Sequence, residues 1–313
     1  MKNYFIYNPV SGSKSARNQF LESLSQVDAD YELIETSKSG DGGDFAKYIA
    51  QSASRTGEKA RIFACGGDGT VNEVINGAIG FDNVEMGVIP LGTGNDTIRN
   101  FADKEDFLNV PEYIKGKSVP CDTIKYKSFA GGEERSGHCI NMFNIGLDCN
   151  VVDLTEKVKK VPLITGSMSY LVSVFLKFVE KKGTSLRIEY DDGTVYDDKL
   201  LLISIGNGSY CGGGIKGLPL AILNDGLMDA SLVKNVTRRQ FLKLFPLYSK
   251  GTHLSHKLVT EDKILEYKQC ESMSITSNEG IIKVCVDGEI FLSEKLELKM
   301  APASFKFIVP DVK

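Results

Sequence analysis

The sequence lacks the features that mark membrane-spanning, secreted or zinc-binding proteins. No apolar run reaches the roughly eighteen residues that a membrane-spanning helix needs, and the longest candidate covers residues 170–179. The seven cysteines are scattered and form no CxxC pair, so we expect reduced thiols and no zinc site. The N-terminus shows no signal peptide. We therefore expect a cytoplasmic protein that contacts a membrane at most peripherally, from its inner face.

The sequence also has no excess of basic residues. The formal net charge is −4, from 37 Lys and Arg against 41 Asp and Glu. Because proteins that bind nucleic acids need a basic surface for the phosphates, no nucleic-acid partner is expected. The remaining composition, 42% hydrophobic and 25% charged, is that of an ordinary globular protein. At 313 residues, the chain is long enough for two domains.

The first third of the chain alternates strand-like apolar runs with helical patterns. This alternation predicts right-handed crossovers and a mostly parallel sheet. We therefore predict an α/β domain with a mostly parallel sheet over residues 1–122, with the segment of about residues 300–313 as a candidate to rejoin it. The strand-like runs are residues 3–8, 31–36, 60–65 and 86–91.

From about Cys121 onward the pattern becomes that of antiparallel strands. Residues 185–208 alternate apolar and polar side chains around an Asp-Asp-Gly turn, and residues 272–300 show the same alternation. We predict an antiparallel β-sandwich domain over residues 123–299. Helical pieces near residues 166–183 and 237–251 interrupt it. Both combine aromatic and basic side chains, so each either packs against the sandwich, lines a cleft between the domains or rests on an anionic surface.

Four turns in the first third carry glycine, serine, threonine or asparagine. They are NPVSG at residues 8–12, Thr36, GGDGT at residues 66–70 and LGTGND at residues 91–96. Each follows a predicted strand, and the carboxyl edge of an open α/β sheet is where ligands bind. Glycine-rich turns that lead into a helix suit phosphate groups. The four turns together therefore predict a nucleotide site.

Two of these turns contain an acid, Asp68 in GGDGT and Asp96 in GTGND. A carboxylate repels a neighbouring phosphate unless a cation lies between them, so we predict magnesium there. The alternative for GGDGT alone is a tight left-handed turn in which Asp68 caps the following helix. Neither GxxxxGK[ST] nor GxGxxG occurs, which argues against a Walker A loop and a dinucleotide fingerprint.

The motifs GGDGTVNEVINGAI and IPLGTGND resemble the catalytic domain of the diacylglycerol kinase superfamily, in particular the soluble bacterial lipid kinases. Sphingosine and ceramide kinases are more distant members. The resemblance extends through both predicted domains. Its further motifs are YNPVSG, FNIGLD at residues 143–148, GNGSYCGGG at residues 206–214, PLAILNDGLMD at residues 219–229 and VDGE at residues 286–289.

The resemblance implies roles for individual residues. Asp68 and Asp96 match the acids that organise the catalytic magnesium, and Glu289 matches the general base that accepts the proton of the lipid hydroxyl. On the residues alone, VDGE is typical of a hairpin turn. Asp225 matches the side-chain ligand of a second, structural magnesium, and Ile222 and Leu227 match its carbonyl ligands. The positions that match ATP-binding residues are Asn8, Pro9, Val10, Ser11, Gly12, Thr36, Gly66, Gly67, Asp68, Gly69, Thr70, Val71, Asn72 and Thr93.

The function that this resemblance implies is that of an ATP-dependent lipid kinase. It would transfer the γ-phosphate of ATP to the hydroxyl of diacylglycerol or a similar lipid, with ATP and magnesium at an interdomain cleft. One alternative is a small-molecule kinase of similar fold, since NAD kinases and phosphofructokinases also carry GGDG; another is a catalytically inactive nucleotide-binding regulatory protein. A homodimer is left open. His253 and His256, three apart on a polar stretch, are typical of surface residues.

Overall fold

The computed structural model describes residues 1–146 and 183–311. The chain forms two compact units, of which unit 1 comprises Met1–Asp122 and Pro302–Lys313, and unit 2 comprises Thr123–Ala301. Asp148, Cys149 and all but the last residue of the helix expected near residues 166–183 lie outside the described residues.

The first nine elements belong to unit 1. A 3₁₀ turn at Ile98–Asn100 precedes the last two. In chain order they are β1 (Lys2–Tyr7), α1 (Lys14–Leu24), β2 (Tyr31–Glu35), α2 (Asp41–Thr56), β3 (Ala60–Gly66), α3 (Asp68–Ala78), β4 (Val84–Pro90), α4 (Lys104–Leu108) and α5 (Val110–Tyr113).

The later elements are mostly strands, and the first and last of these strands run through both units. They are β5 (Lys117–Ala130), β6 (Glu133–Cys139), β7 (Met142–Gly146), β8 (Thr184–Tyr190), β9 (Val195–Gly206), β10 (Met228–Lys234), α6 (Arg238–Lys250), α7 (Lys257–Thr260), β11 (Leu265–Cys270), β12 (Ser272–Ser277), β13 (Ile282–Val286), β14 (Glu289–Ser293) and β15 (Lys295–Val309).

Unit 1 contains a parallel sheet with the strand order β2-β1-β3-β4-β15. In the centre of the sheet, Tyr7 at the end of β1 aligns with Glu35 of β2 and with Cys65 of β3. The central strands β3 and β4 are mostly apolar and largely buried, as expected where helices cover both faces of a parallel sheet. The predicted α/β architecture is confirmed.

Helix α3 shows why the sequence after β3 becomes helical. Val71, Val74, Ile75 and Ala78 recur at helical spacing, and all four are buried. Complete burial of a valine or isoleucine side chain contributes about 1.5–3 kcal/mol. This apolar stripe therefore fixes the orientation of α3, and with it the position of the helix N-terminus.

A buried tyrosine joins two strands of this sheet. The Tyr113 hydroxyl donates to the carbonyl oxygen of Ile308 on β15 and accepts the Val88 N–H of β4, both at 3.0 Å. Its ring lies edge-on to Phe63, which stacks on Phe5 with ring centroids 4.8 Å apart. The aromatic core beneath the sheet thus includes a hydrogen-bonded link between β4 and β15.

Unit 2 is built on antiparallel strands, in the order β14-β13-β7-β9-β8-β12-β15, with β10 between β9 and β11. The Asp-Asp-Gly stretch forms the turn between β8 and β9, with Glu189 paired with Val195. One large cluster of buried side chains lies among these strands. The predicted C-terminal β-sandwich is confirmed. None of the helices within the described ranges has the length and apolar character that a bilayer-spanning helix needs.

The expectation that His253 lies at the surface is wrong. Its side chain is completely buried, and its ring packs on Tyr248 of α6 at a centroid distance of 4.6 Å. Burial lowers the pKa of His253 to about 4. The polar sequence around it is misleading because a 3₁₀ turn, His253–Ser255, directs this one ring inward. His256 is partly buried and accepts the Leu258 N–H at the start of α7.

Candidate active site

Four loops of unit 1 lie at one edge of its sheet. The parallel strands β1, β2, β3 and β4 end next to one another, with Tyr7 aligned with Glu35 and Gly66 aligned with Pro90. The residues that follow these ends are Asn8, Thr36, Gly67 and Leu91. The structure therefore brings the four predicted loops together at the carboxyl edge, where open α/β sheets bind ligands.

Hydrogen bonds connect the first of these loops to α3. The Asn8 side chain donates from Nδ2 to Thr70 Oγ1 at 3.2 Å, and its Oδ1 accepts the Val10 N–H at 3.1 Å. The Asn8 backbone N–H donates to the Cys65 carbonyl oxygen at 3.0 Å. Asn8 therefore links the end of β1 to β3 and α3 through hydrogen bonds, and it fixes the direction in which the loop over residues 8–12 leaves the sheet.

The loops after β1 and β4 touch through their backbones. Gly12 has φ +70°, and a Cβ built there would lie 1.9 Å from the carbonyl oxygen of Leu91. A Cβ on Gly92 would lie 2.6 Å from the Cα of Gly67. A side chain at either position would collide with the backbone of a neighbouring loop. Gly12 and Gly92 are therefore required by the contacts between loops as well as by any ligand.

The N-terminus of α3 faces this edge without a side-chain cap. The N-cap residue is Gly67, and no side chain accepts a hydrogen bond there in the manner of a serine or aspartate cap. A Cβ on Gly69, in the first turn, would meet nothing within 4 Å. An uncapped helix N-terminus with open space around its first turn is a suitable site for a phosphate group.

Asp68 binds the backbone of the neighbouring loop. Its Oδ2 accepts the Asn95 N–H and its Oδ1 accepts the Asp96 N–H, each at 2.9 Å. Burial raises the pKa of Asp68 above its usual range, although these hydrogen bonds oppose the shift. Asp68 therefore joins the GGDGT turn to the GTGND turn, a contact that the sequence did not reveal.

Asp68 and Asp96 converge near Gly94. A Cβ on Gly94 would lie 2.7 Å from Asp68 Oδ2 and 3.7 Å from Asp96 Oδ2. The second oxygen of Asp96, Oδ1, lies 3.6 Å from Nε of Arg99. Both carboxylates therefore face Gly94, and two neighbouring carboxylates are a donor set that suits magnesium, which typically takes one or two carboxylates, several waters and substrate phosphates. Within residues 1–146 and 183–311, no group of three or more His, Cys, Asp or Glu side chains is arranged to hold a metal ion.

Glu289 lies in unit 2, directly after the turn between β13 and β14. The turn residues Asp287 and Gly288 both have positive φ, +48° and +94°, as in a type I′ hairpin turn. The carboxylate of Asp287 accepts the N–H groups of Ile140, Asn141 and Met142 at 2.7–3.0 Å. The hairpin predicted from VDGE is present, and Asp287 fixes it to the segment before β7.

Arg135 of β6 pairs with Glu289. Its Nη2 lies 2.7 Å from Glu289 Oε2, and both side chains are about half exposed. The guanidinium also lies over the Phe291 ring, 4.6 Å from the centroid, a favourable cation–π position. Nothing in the sequence singled out Arg135, because it lies 154 residues from Glu289 and in no recognised motif.

The residues assigned to a structural magnesium share one loop. Asp225 Oδ1 accepts the Leu227 N–H at 3.0 Å, and Ile222 is exposed three residues earlier. The loop is held at Leu223, whose carbonyl oxygen accepts from Asn207 Nδ2 at 3.2 Å. It is also held at Leu220, whose N–H donates to Tyr267 Oη at 3.3 Å. The structure thus places these three residues close in the chain, and their role as metal ligands stays a prediction.

Comparisons with known proteins cover nearly the whole chain. Residues 2–126 match the family described as the diacylglycerol kinase catalytic domain, and residues 141–309 match the YegS C-terminal NAD kinase beta sandwich-like domain. The chain is similar to the diacylglycerol kinase of Bacillus subtilis (strain 168), with 29% identity over 279 residues, 86% of each chain. It is 30% identical over 289 residues to that of Staphylococcus aureus (strain MRSA252), covering 91% of this chain and 84% of the relative.

A solved structure has the same fold. The crystal structure of a diacylglycerol kinase from Bacillus anthracis str. Sterne aligns with a TM-score of 0.71 and 21% identity, covering 99% of this chain and 97% of the other. The resemblance noted in the motifs is therefore confirmed, and so is the predicted enzyme class, a lipid kinase. The chain belongs to the diacylglycerol kinase family.

Proposed function

We propose that this protein transfers the γ-phosphate of ATP to the hydroxyl of a membrane lipid, with diacylglycerol as the first candidate substrate. The observation that carries this proposal is the meeting of the uncapped α3 N-terminus with two carboxylates, Asp68 and Asp96, at one sheet edge. Relatives of similar length that are named diacylglycerol kinases support the choice of lipid.

The triphosphate would bind to the loops at this edge. The first turn of α3 supplies backbone N–H groups and the positive end of the helix dipole, and Gly69 leaves room for a phosphate to approach. Thr93 is exposed in the neighbouring loop, where its hydroxyl is available as a further donor. Fixing the triphosphate in one orientation accounts for much of the catalysis expected in phosphoryl transfer.

The carboxylates of Asp96 and Asp68 would hold the magnesium ion that accompanies ATP. When bound, this ion neutralises charge on the phosphate oxygens. Asp68 already accepts two backbone N–H groups, so its part is to orient the GTGND loop and to contact the ion through remaining lone pairs or through water. Asp225, with the carbonyl groups of Ile222 and Leu227, is our proposal for a second, structural magnesium site.

Glu289 is proposed as the general base. A carboxylate that accepts the hydroxyl proton typically contributes 10²–10⁴-fold to the rate. Asp287 holds the turn that carries Glu289 through three backbone hydrogen bonds, and Arg135 holds the carboxylate itself through an ion pair. A base positioned in this way loses little conformational freedom when the substrate arrives.

The test is phosphate transfer from ATP labelled in the γ-phosphate. The full chain is incubated with magnesium and mixed micelles of diacylglycerol, ceramide, sphingosine, monoacylglycerol or phosphatidylglycerol, with NAD as an aqueous acceptor. Label in an organic-extractable product supports the proposal and identifies the lipid. Label only in NAD would show that the acceptor is a small molecule. No transfer to any acceptor would favour a regulatory nucleotide-binding protein.

A further inference from the structure

Helix α6 has one buried face and one exposed face. Phe241, Leu244 and Tyr248 are buried and belong to a core cluster of unit 2. The opposite side, which we call the outer face of α6, is exposed along its whole length. It consists of residues at spacings of three, four, seven and eleven, which share one side of a helix. These residues are Arg239, Leu242, Lys243, Pro246 and Lys250.

The charge on α6 has a single sign. The helix contains four cations, Arg238, Arg239, Lys243 and Lys250, and no acid, although the whole chain has a net charge of −4. Within the described part of the chain, none of the four has a carboxylate within ion-pair distance. What sets this helix apart is that four cations follow one another within thirteen residues with no acid among them and no ion pair to another described residue.

Apolar groups lie between these cations. Leu242 is 57% exposed, and Pro246 is exposed one turn further along the same side. Cations on both sides of an exposed leucine suit an anionic lipid surface, where the cations meet the headgroups and the leucine reaches towards the acyl boundary. A purely electrostatic partner such as a nucleic acid would give Leu242 no contact.

The helix is fixed in place before any partner binds. Thr237 accepts the Gln240 N–H and Gln240 reaches back to the Thr237 N–H, which is a capping box. Gly251 ends the helix with φ +71°. Since both ends are capped and the inner face is in the core, docking of the outer face would cost little ordering entropy.

Charges on the following segment do not cancel this surface. Glu261 and Asp262 follow α7, and Lys257 and Lys263 lie in the same stretch, so that segment is nearly neutral by itself. The excess positive charge remains on α6.

We propose that the outer face of α6 docks on an anionic lipid bilayer. This inference rests on the proposed function, because a kinase that acts on a membrane lipid needs a surface that brings it to the bilayer. Each lysine or arginine near an anionic bilayer strengthens binding about fivefold, and the apolar contact of Leu242 adds to this.

Binding of the full chain to vesicles, measured by cosedimentation without ATP, tests the proposal. Wild type is expected to bind vesicles of phosphatidylcholine mixed with phosphatidylglycerol, to bind pure phosphatidylcholine weakly, and to lose affinity as salt rises. The double variant Arg239→Glu/Lys243→Glu should bind the anionic vesicles at least about twentyfold more weakly. Leu242→Ser should weaken binding without any change in charge.

The matched control is Lys47→Glu/Lys59→Glu, which makes the same change in net charge on exposed residues of unit 1. It should bind almost as wild type does. Equal losses in both double variants, or unchanged binding of the α6 variants, would overturn the proposal, as would stronger binding of wild type to duplex DNA than to anionic vesicles. Should a charge reversal disturb folding, Arg239→Gln/Lys243→Gln provides the same test with a smaller change.

Phosphate transfer to a short-chain, water-dispersed diacylglycerol separates this inference from the proposed function. The α6 variants should keep their rate on that substrate and lose rate only on vesicles. If wild type transfers phosphate to no lipid yet binds anionic vesicles through α6, the proposed function fails and the docking surface stands. If transfer occurs and vesicle binding is independent of α6, the docking surface fails.

Discussion

The carboxylate of Asp68 accepts the backbone N–H of Asp96 at 2.9 Å, and so joins the turn after β3 to the turn after β4. This contact gives a structural reason for an acid among glycines. A carboxylate oxygen can accept a backbone N–H and still present lone pairs to an ion or a water. Asp68 therefore shapes the GTGND loop, and in the proposed function it also takes part in binding magnesium.

Asp68→Asn should abolish most phosphate transfer and lower stability only modestly. The asparagine side chain has one acceptor oxygen, so one of the two backbone N–H groups loses its partner, at a cost of about 1–3 kcal/mol. Removing a buried charge offsets part of that cost. Transfer rates and urea unfolding check the prediction, with Asp28→Asn, an exposed acid in a loop, as control. A variant that transfers phosphate at the wild-type rate would contradict the proposed role.

Two glycines of the nucleotide edge should respond in opposite ways to alanine. Gly12→Ala forces a Cβ into the Leu91 carbonyl group at a positive φ, so it should destabilise the protein by several kcal/mol or displace the loop. Gly69→Ala meets no atom within 4 Å and should leave stability equal or higher by up to about 1 kcal/mol. It should nevertheless weaken ATP binding, measured by calorimetry, because the methyl group occupies the approach to α3. If Gly69→Ala bound ATP with unchanged affinity, the phosphates would not bind at the N-terminus of α3.

Local patterns in the sequence were enough to predict the main helices, strands and turns, because each of these depends on residues that are close together in the chain. The apolar run of β3, the helical spacing of Val71 and Val74, and the Asp-Gly turn before Glu289 all depend on residues within a few positions. The family resemblance then followed from the order of the motifs along the chain.

Contacts between distant residues were not predictable. Asp68 meets its N–H partners 27 and 28 residues away, and Asp287 meets its own at separations of 145–147 residues. His253 was expected at the surface because its neighbours are polar, yet packing on Tyr248 buries it. In each case the deciding partner comes from tertiary structure, which periodicity and turn signals do not encode.

Asp287→Asn should destabilise unit 2 by about 1–3 kcal/mol, because one amide oxygen cannot replace two carboxylate oxygens that accept three backbone N–H groups. Asparagine tolerates the positive φ of +48°, so the turn itself should survive. Urea unfolding measures the loss, and Asp262→Asn, at an exposed position, is the matched control. Equal stability of the two variants would show that the three hydrogen bonds do not hold the turn.

Stability should fall in acid partly through His253. Its folded-state pKa of about 4 lies below the ordinary 6.5, so the unfolded chain binds this proton first as the pH falls. The contribution is complete above pH 6.5 and is lost towards pH 4, amounting to about 2 kcal/mol between pH 7 and pH 5.

His253→Phe should remove this pH dependence, because the phenyl ring can keep the contact with Tyr248 and takes up no proton. Neither ring nitrogen of His253 has a hydrogen bond of normal geometry among the described residues, so the replacement removes at most a weak interaction with the Leu247 backbone. The measurement is the free energy of unfolding in urea at pH 7 and pH 5, with His256→Gln as control. An unchanged slope in His253→Phe would show that another group is responsible.

The most direct test of the account compares wild type, Glu289→Gln and Glu294→Gln in the transfer of labelled γ-phosphate from ATP to diacylglycerol micelles. Glu294 is exposed at the end of the same hairpin and has no role in the proposed chemistry. Wild type and Glu294→Gln should transfer label at similar rates, and Glu289→Gln should be slower by about 10²–10⁴-fold. Equal rates for all three proteins, or no lipid labelled by wild type, would contradict the assignment of this chain as a lipid kinase that uses Glu289 as its base.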